Sequence, residues 1–280
     1  MTNIATQQSQ PEMDIPGAKD AIEEIGPPPR QKSKIWMIRL SSVAFFLGAW
    51  EIGGRQVDPL FMSYPSEISH SAMRLIMSGE LGSALASSLQ TLIFAFLIAS
   101  VVGVALGLLI GRYKGVEAAT DWLVNALYAT PLVAIIPLVI LWFGLGGAAK
   151  LFIVTILAVF PILINTISGV HNVPPQLIEL GNAFAARERE IFLKIILPSA
   201  LPYMMTGLRL GIGRAIIGMV VAEFFTAITG LGALIVKYGN QYDTASMFVP
   251  ILTLMVLGVT LSVIVKRAEK MIAPWRYTEE

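Results

Sequence analysis

Few residues in this sequence are placed to do chemistry, and their spacing limits what that chemistry is. His70 and His171 are isolated, with no second ligand at metal spacing, so no metal site is predicted. No His-Glu-x-x-His run or paired nucleophile and base occurs, so no catalytic residue is assigned and no enzyme is expected. The chain has no Gly-x-x-x-x-Gly-Lys-[Ser/Thr] loop and no Gly-Lys dipeptide, so it cannot cradle ATP phosphates by that route. Two patterns of polar residues remain. One is the charged, amphipathic stretch 178–198, which contains Glu179, Gly181, Ala183, Ala185, Arg187, Ile195, Leu197 and Pro198. Its chemistry is recognition: a projecting carboxylate, small residues that admit a close backbone, and an apolar side. The other is a scatter of polar residues inside long apolar runs, namely Asn165, Arg209, Arg214 and Glu223. A charge within a membrane span is costly and faces protein or water. Arg214 therefore either lines an anion path or makes an internal ion pair or carbonyl contact. Glu223 is either a gate residue or a structural hydrogen-bond acceptor, and Asn165 either lines a pore or bonds between helices.

These residues sit in a chain built for lipid. Of 280 residues, 55% are hydrophobic and only 14% charged, against about 25% charged in soluble domains. The mean hydropathy is +0.70. At roughly 20 apolar residues per span, the length holds about six spans with short loops. A net charge of +1 gives no reason to expect a nucleic-acid partner, and the absence of cysteine excludes disulfides and thiol metal sites.

Residues 1–34 form a polar tail rich in Pro and mixed charge, predicted to be disordered and cytoplasmic. Arg30, Lys32 and Lys34 precede the apolar run 35–52, an order that imitates a signal peptide. The polar segment is long for one and no Ala-x-Ala-like site follows, so an uncleaved first span is predicted. That span and an external loop occupy 35–64. Ile68, Ala72, Leu75 and Ile76 recur at helical spacing over 65–77, predicting a short amphipathic helix at the membrane surface, with a docking surface for a binding protein as the alternative. Further spans are predicted at 87–111, 119–143 (kinked by Pro131 and Pro137), 150–170, 201–225 and 247–265. The segment 230–244 either re-enters the membrane or forms an external turn. Gly103, Gly107 and Gly111 make a small-residue ladder, read as packing within the subunit, with a dimer seam as the alternative. Gly207, Gly211 and Gly218 share a helix face with Arg214.

Orientation follows from basic residues. With the N-terminus inside, the external segments hold only Arg55, Arg74, Lys150 and Lys237, and the fifth span holds Arg209 and Arg214. That leaves fourteen of the 20 basic residues on the cytoplasmic side, with both termini and the 172–198 loop. In that loop, Pro174-Pro175 suits a first helical turn, with Asn172 as a cap just upstream. Leu177, Ile178, Gly181 and Phe184 can share one face. Ala185-Ala186 permits a turn, and a second helix over 188–196 puts Ile191, Phe192, Ile195 and Ile196 on one side. Two short helices at an angle make a rigid knob.

The spacing from Glu179 through Ala185 to Ile195 and Leu197-Pro198 resembles the EAA loop of ABC importer permeases. The runs 128–132, 136–138, 141–146, 161–166, 197–202, 207–209 and 221–223 resemble the nitrate/sulfonate/taurine branch of that family, so the likeness covers roughly 65–275. It departs from the pattern at Ala185, where the family has Gly, and at Leu180 and Gly181, where it has Ala. Ala resists positive φ. The resemblance implies an all-α integral-membrane protein of the type I importer (MetI-like) fold, with about six transmembrane helices and cytoplasmic coupling helices, its permease domain at 65–275 and a short tail at 276–280. It implies a permease that passes a small solute through the cell (inner) membrane, with no cofactor of its own because ATP is hydrolysed by a partner. The implied partners are ABC ATPase subunits docked on the 172–198 loop, a second permease copy and an external solute-binding protein. The branch carries oxyanions, sulfonates and neutral organic molecules; Arg214 favours an anion. A secondary transporter is the alternative class, but it would show inverted repeats, and none is found.

Overall fold

The computed structural model describes residues 32–226 and 228–272. The expectations for 1–31 and for the tail at 276–280 lie outside them. Residues 32–34, assigned above to the polar tail, already belong to the first helix. The chain divides at Ala49/Trp50 into two units, and helix α1, Lys32–Gly54, starts in the first. There it displays Trp36, Ile38, Phe45 and Phe46 outward.

The second unit is all helix among its described residues: α2 (Pro65–Met77), α3 (Glu80–Arg112), α4 (Lys114–Ala129), a 3-10 turn (Leu132–Ile135), α5 (Ile136–Phe143), α6 (Gly147–His171), α7 (Pro175–Ala183), α8 (Glu188–Ile191), a π turn (Phe192–Ile196), α9 (Leu197–Thr226), α10 (Leu231–Asn240) and α11 (Thr244–Ile272). The helices α3, α6 and α11 are each long and apolar enough to cross a bilayer; counting each bent pair as one span gives five among the described residues. The expected first span, α1, is not among them.

The predicted span at 119–143 is instead two helices bent by 85°. Pro131 forces the break. Its ring disfavours helical geometry at Thr130, which is extended at φ −71, ψ 135. Pro137 causes none, because it lies in the first turn of α5, where its missing N–H is not needed.

Helix α6 is the centre of the unit, held between α3 and α9. Both contacts run along glycines. A Cβ at Gly107 would lie 2.5 Å from Thr166 Cβ, and one at Gly103 2.9 Å from Ile162 Cβ. On the other side, Gly207, Gly211 and Gly218 meet Asn165, Ile162 and Leu157. The ladder in α3 is thus a packing surface inside the subunit. Leu92, Ala95, Ala99, Val154, Ala158, Ile162, Ile212, Ala215 and Met219 fill the core between the three helices.

Helix α2 forms with the predicted limits and packs on α3 and α11. Ile68 and Leu75 are buried and Ile76 is exposed. Arg74 reaches Asp243 (3.2 Å) and Ser246 (2.6 Å). The segment expected to re-enter or turn is the helix α10, which buries Leu231, Leu234 and Tyr238.

Candidate functional site

The 172–198 loop is a compact knob at the shared end of α6 and α9. It starts at Val173, buried under α9, and Pro174, which stands before α7 with Pro175 in its first turn. Asn172 does not cap α7. It ends α6 instead, and its side chain donates back to the Ser168 carbonyl at 2.8 Å.

Helix α7 has two unlike faces. Ile178 and Gly181 turn inward, whereas Leu177, Leu180 and Phe184 are exposed, Phe184 at 78%. The single face expected for Leu177, Ile178, Gly181 and Phe184 therefore splits, since at 100° per residue Leu177 and Phe184 align with Leu180 and not with Ile178. Glu179 and Ala183 are exposed at the edge of the outward patch. Gly181 is where the two short helices meet. A Cβ there would lie 3.1 Å from Ile195 Cδ1 and 3.2 Å from Ile191 Cγ1. Ile191, Phe192, Ile195 and Ile196 share one side, as the spacing predicted, and join one cluster with Ile178, Val170, Val173 and Ala200.

The turn between them is closed by backbone bonds. Ala186 N–H donates to Gly181 O (3.0 Å) and Ala185 N–H to Asn182 O (2.9 Å). This is the paired bonding of a Schellman helix end, which needs its central residue in the left-handed region. Ala185 takes that conformation, φ +52, despite its Cβ. The conformation costs about 1–2 kcal/mol in a residue with a side chain. Ala185 is exposed and loses no packing on truncation, so Ala185→Gly should stabilise the permease by about 1 kcal/mol. A raised midpoint of thermal unfolding checks this; an unchanged or lowered one removes the assigned turn.

The next helix starts at Arg187, whose N–H donates to Glu190 Oε2 at 3.0 Å. That bond, and then the Lys194 ammonium at 3.2 Å, holds the Glu190 carboxyl below its usual range. Glu188 reaches Arg112 at the end of α3 (3.0 Å), which ties the knob to a second helix. The predicted helix over 188–196 is helical throughout but loosens to a π turn at 192–196, where it runs directly into α9. Leu197 is half-buried and Pro198 exposed.

The polar residues of the apolar helices do not converge. Asn165 donates to the Pro161 carbonyl (2.8 Å), and its Cβ lies against Gly207. Glu223 is fully buried and accepts from Ser88 Oγ (2.7 Å) and Gly232 N–H (2.8 Å). Ser88 in turn accepts from Leu231 N–H (2.9 Å). Arg214 is exposed, at the margin of the face that Gly207, Gly211 and Gly218 bury, and makes no ion pair among the described residues. Arg209 pairs with the buried carboxylate of Glu269. Lys150, counted among the external charges, is almost wholly buried and donates to Thr229 O (2.6 Å) and Oγ1 (2.9 Å). Sequence reasoning missed Ser88 and Glu269. Glu269 had a signal: it falls on the face that continues the apolar α11 back towards α9.

Residues 99–275 match the family described as binding-protein-dependent transport system inner membrane component. A Bacillus subtilis (strain 168) protein bearing the name aliphatic sulfonates transport permease protein SsuC is 31% identical over 264 residues, covering 94% of this chain and 96% of its own. The formylaminopyrimidine transport permease protein ThiX of Halalkalibacterium halodurans is 32% identical over 230 residues, covering 81% and 91%. The inward-facing MetNI methionine ABC transporter has a chain of the same fold, with a TM-score of 0.60 at 20% identity, covering 70% of this chain and 97% of that one. The chain belongs to the binding-protein-dependent transport family as an ABC importer permease, in the branch that includes SsuC.

Proposed function

We propose that the 172–198 loop docks this permease on a separate ABC ATPase, which hydrolyses the ATP. The observation that carries this reading is the outward patch of Leu177, Leu180 and Phe184 beside Glu179, held on a knob that is packed and bonded on its other side. Apolar side chains at the end of a membrane helix bundle, beyond the spans themselves, need a protein cover. Two permease copies, an external solute-binding protein and the bilayer complete the assembly, with α1 preceding the permease domain at 65–275. Both chain ends and the loop are cytoplasmic in this reading. Cysteines placed singly at Glu188 and Asn240 test it, since the chain has none. An impermeant thiol reagent applied to intact cells should label position 240 and spare 188. The reverse pattern overturns both the topology and the docking.

The solute we propose is a small anion, a sulfonate or a related organic acid. Its support is Arg214, an exposed guanidinium on an apolar helix with no carboxylate partner among the described residues. Arg214→Gln should lower transport of the anion at least tenfold with assembly intact. Arg214→Lys should recover part of it, because a point charge remains. Equal loss of transport and assembly in both variants would make the residue structural and remove the reason for an anion.

A further inference from the structure

At the end of α3 nearest the knob, an open groove of about 590 Å³ runs between α3 and the start of the α8 segment, a volume in the range of small-molecule sites, about 300–1,000 Å³. Its two ends differ in chemistry. One wall is Ala105, Leu108 and Leu109, on the long apolar span, with Phe192 opposite; the other end holds Arg112, Tyr113 and Arg189. From Ala105 to Arg112 the helix rises about 10 Å, so the groove passes from hydrocarbon depth to the interface. Val101, exposed on the same helix face four residues before Ala105, extends the apolar wall deeper.

We propose that this groove is a binding site for an anionic phospholipid. The phosphate would lie between Arg112 and Arg189, and an acyl chain would follow α3 from Leu109 past Ala105. The groove is apolar at membrane depth and cationic at the surface, which is the polarity of such a lipid and not that of a soluble ligand. Arg189 is exposed and has no ion-pair partner among the described residues. The competing carboxylate is Glu188, paired with Arg112 at 3.0 Å, but it is 82% exposed. Surface pairs of that kind are weak, and a guanidinium has donors enough to hold a phosphate oxygen beside it. Tyr113, half exposed, stands at the level where aromatic rings gather in membrane proteins. Because Glu188 begins α8, a lipid held here would touch the knob, so membrane composition would bear on its position. The inference goes beyond the docking reading, and its test measures lipid and not transport, so either can fail alone.

The test uses the delipidated full-length chain in detergent, titrated with dioleoylphosphatidylglycerol or dioleoylphosphatidylcholine and read by native mass spectrometry. Phosphatidylglycerol should bind more tightly than phosphatidylcholine. Arg189→Gln and Arg112→Gln should each weaken it on the order of fivefold, the loss expected for one interfacial cation. Lys194→Gln removes the same charge from the same loop outside the groove and should leave binding unchanged. Arg189 and Lys194 are exposed, so neither change should alter the unfolding midpoint. Equal affinity for the two lipids overturns the proposal, as does equal weakening by Arg189→Gln and Lys194→Gln. Binding of soluble glycerol phosphate at the same concentrations as the lipid overturns the assignment to a lipid.

Discussion

If the 172–198 knob is the docking surface proposed above, Phe184→Asp should separate this permease from an ABC ATPase without preventing its insertion. Phe184 is the most exposed large hydrophobic side chain of the knob, and an exposed aromatic anchor in an interface is worth about 2 kcal/mol or more, roughly a thirtyfold change in affinity. Placing a carboxylate at its position adds a desolvation cost on the partner's side. Glu179→Lys should act in the same direction by reversing the charge at the patch edge. Neither residue is buried, so the yield and thermal midpoint of the permease should stay near those of the parent. A contrasting substitution is Ile191→Ala. Ile191 is buried under Gly181, and its truncation should cost about 2–5 kcal/mol of stability. Co-purification of the ATPase and transport, measured on the same membranes, separate the two cases. Normal co-purification and transport by both Phe184→Asp and Glu179→Lys would sink the docking surface.

The second large effect is expected at Glu223. Its carboxylate ties α9 to Ser88 on α3 and to the Gly232 N–H at the start of α10. The turn before α10 is shaped around it: Gly230 has φ +107, and a Cβ there would collide with the carboxylate. Glu223→Ala leaves two buried donors without an acceptor. Each costs about 1–3 kcal/mol, so a loss of several kcal/mol is expected. Glu223→Gln keeps an acceptor oxygen for one donor and should lose less. Fluorescence-detected size exclusion after a heating step reads the amount of intact permease. If Glu223→Ala kept its stability and lost only transport, the residue would be a gate and not a brace.

Much of the 172–198 knob could be read locally. Pro174-Pro175 marks a helix start and the Ile191–Ile196 spacing marks a buried side; both depend on neighbours within about a turn. The split of α7 was misread because Leu177 and Ile178 are adjacent and equally apolar, and only the position of α9 decides which one is covered. The turn at Ala185-Ala186 was legible, but the left-handed backbone of Ala185 was not. Local propensity opposes its positive φ, and the Gly181–Ala186 bond that holds it there forms only once α7 is packed on Ile195 and Ile191.

Sequence by itself determined the solvent this chain is made for, the position of most helices, the break at Pro131 and the family. Those properties rest on composition, on periods of 3.6 residues and on motif spacing, all set over short stretches of chain. Tertiary structure decided which helix each glycine seam meets, that Arg209 has Glu269 and that Lys150 is buried against Thr229. The bond between Ser88 and Glu223 joins residues 135 apart in the chain. Such pairs depend on how helices cross, and a buried polar group takes whatever partner the crossing brings within reach, because leaving it unpaired is the costlier outcome.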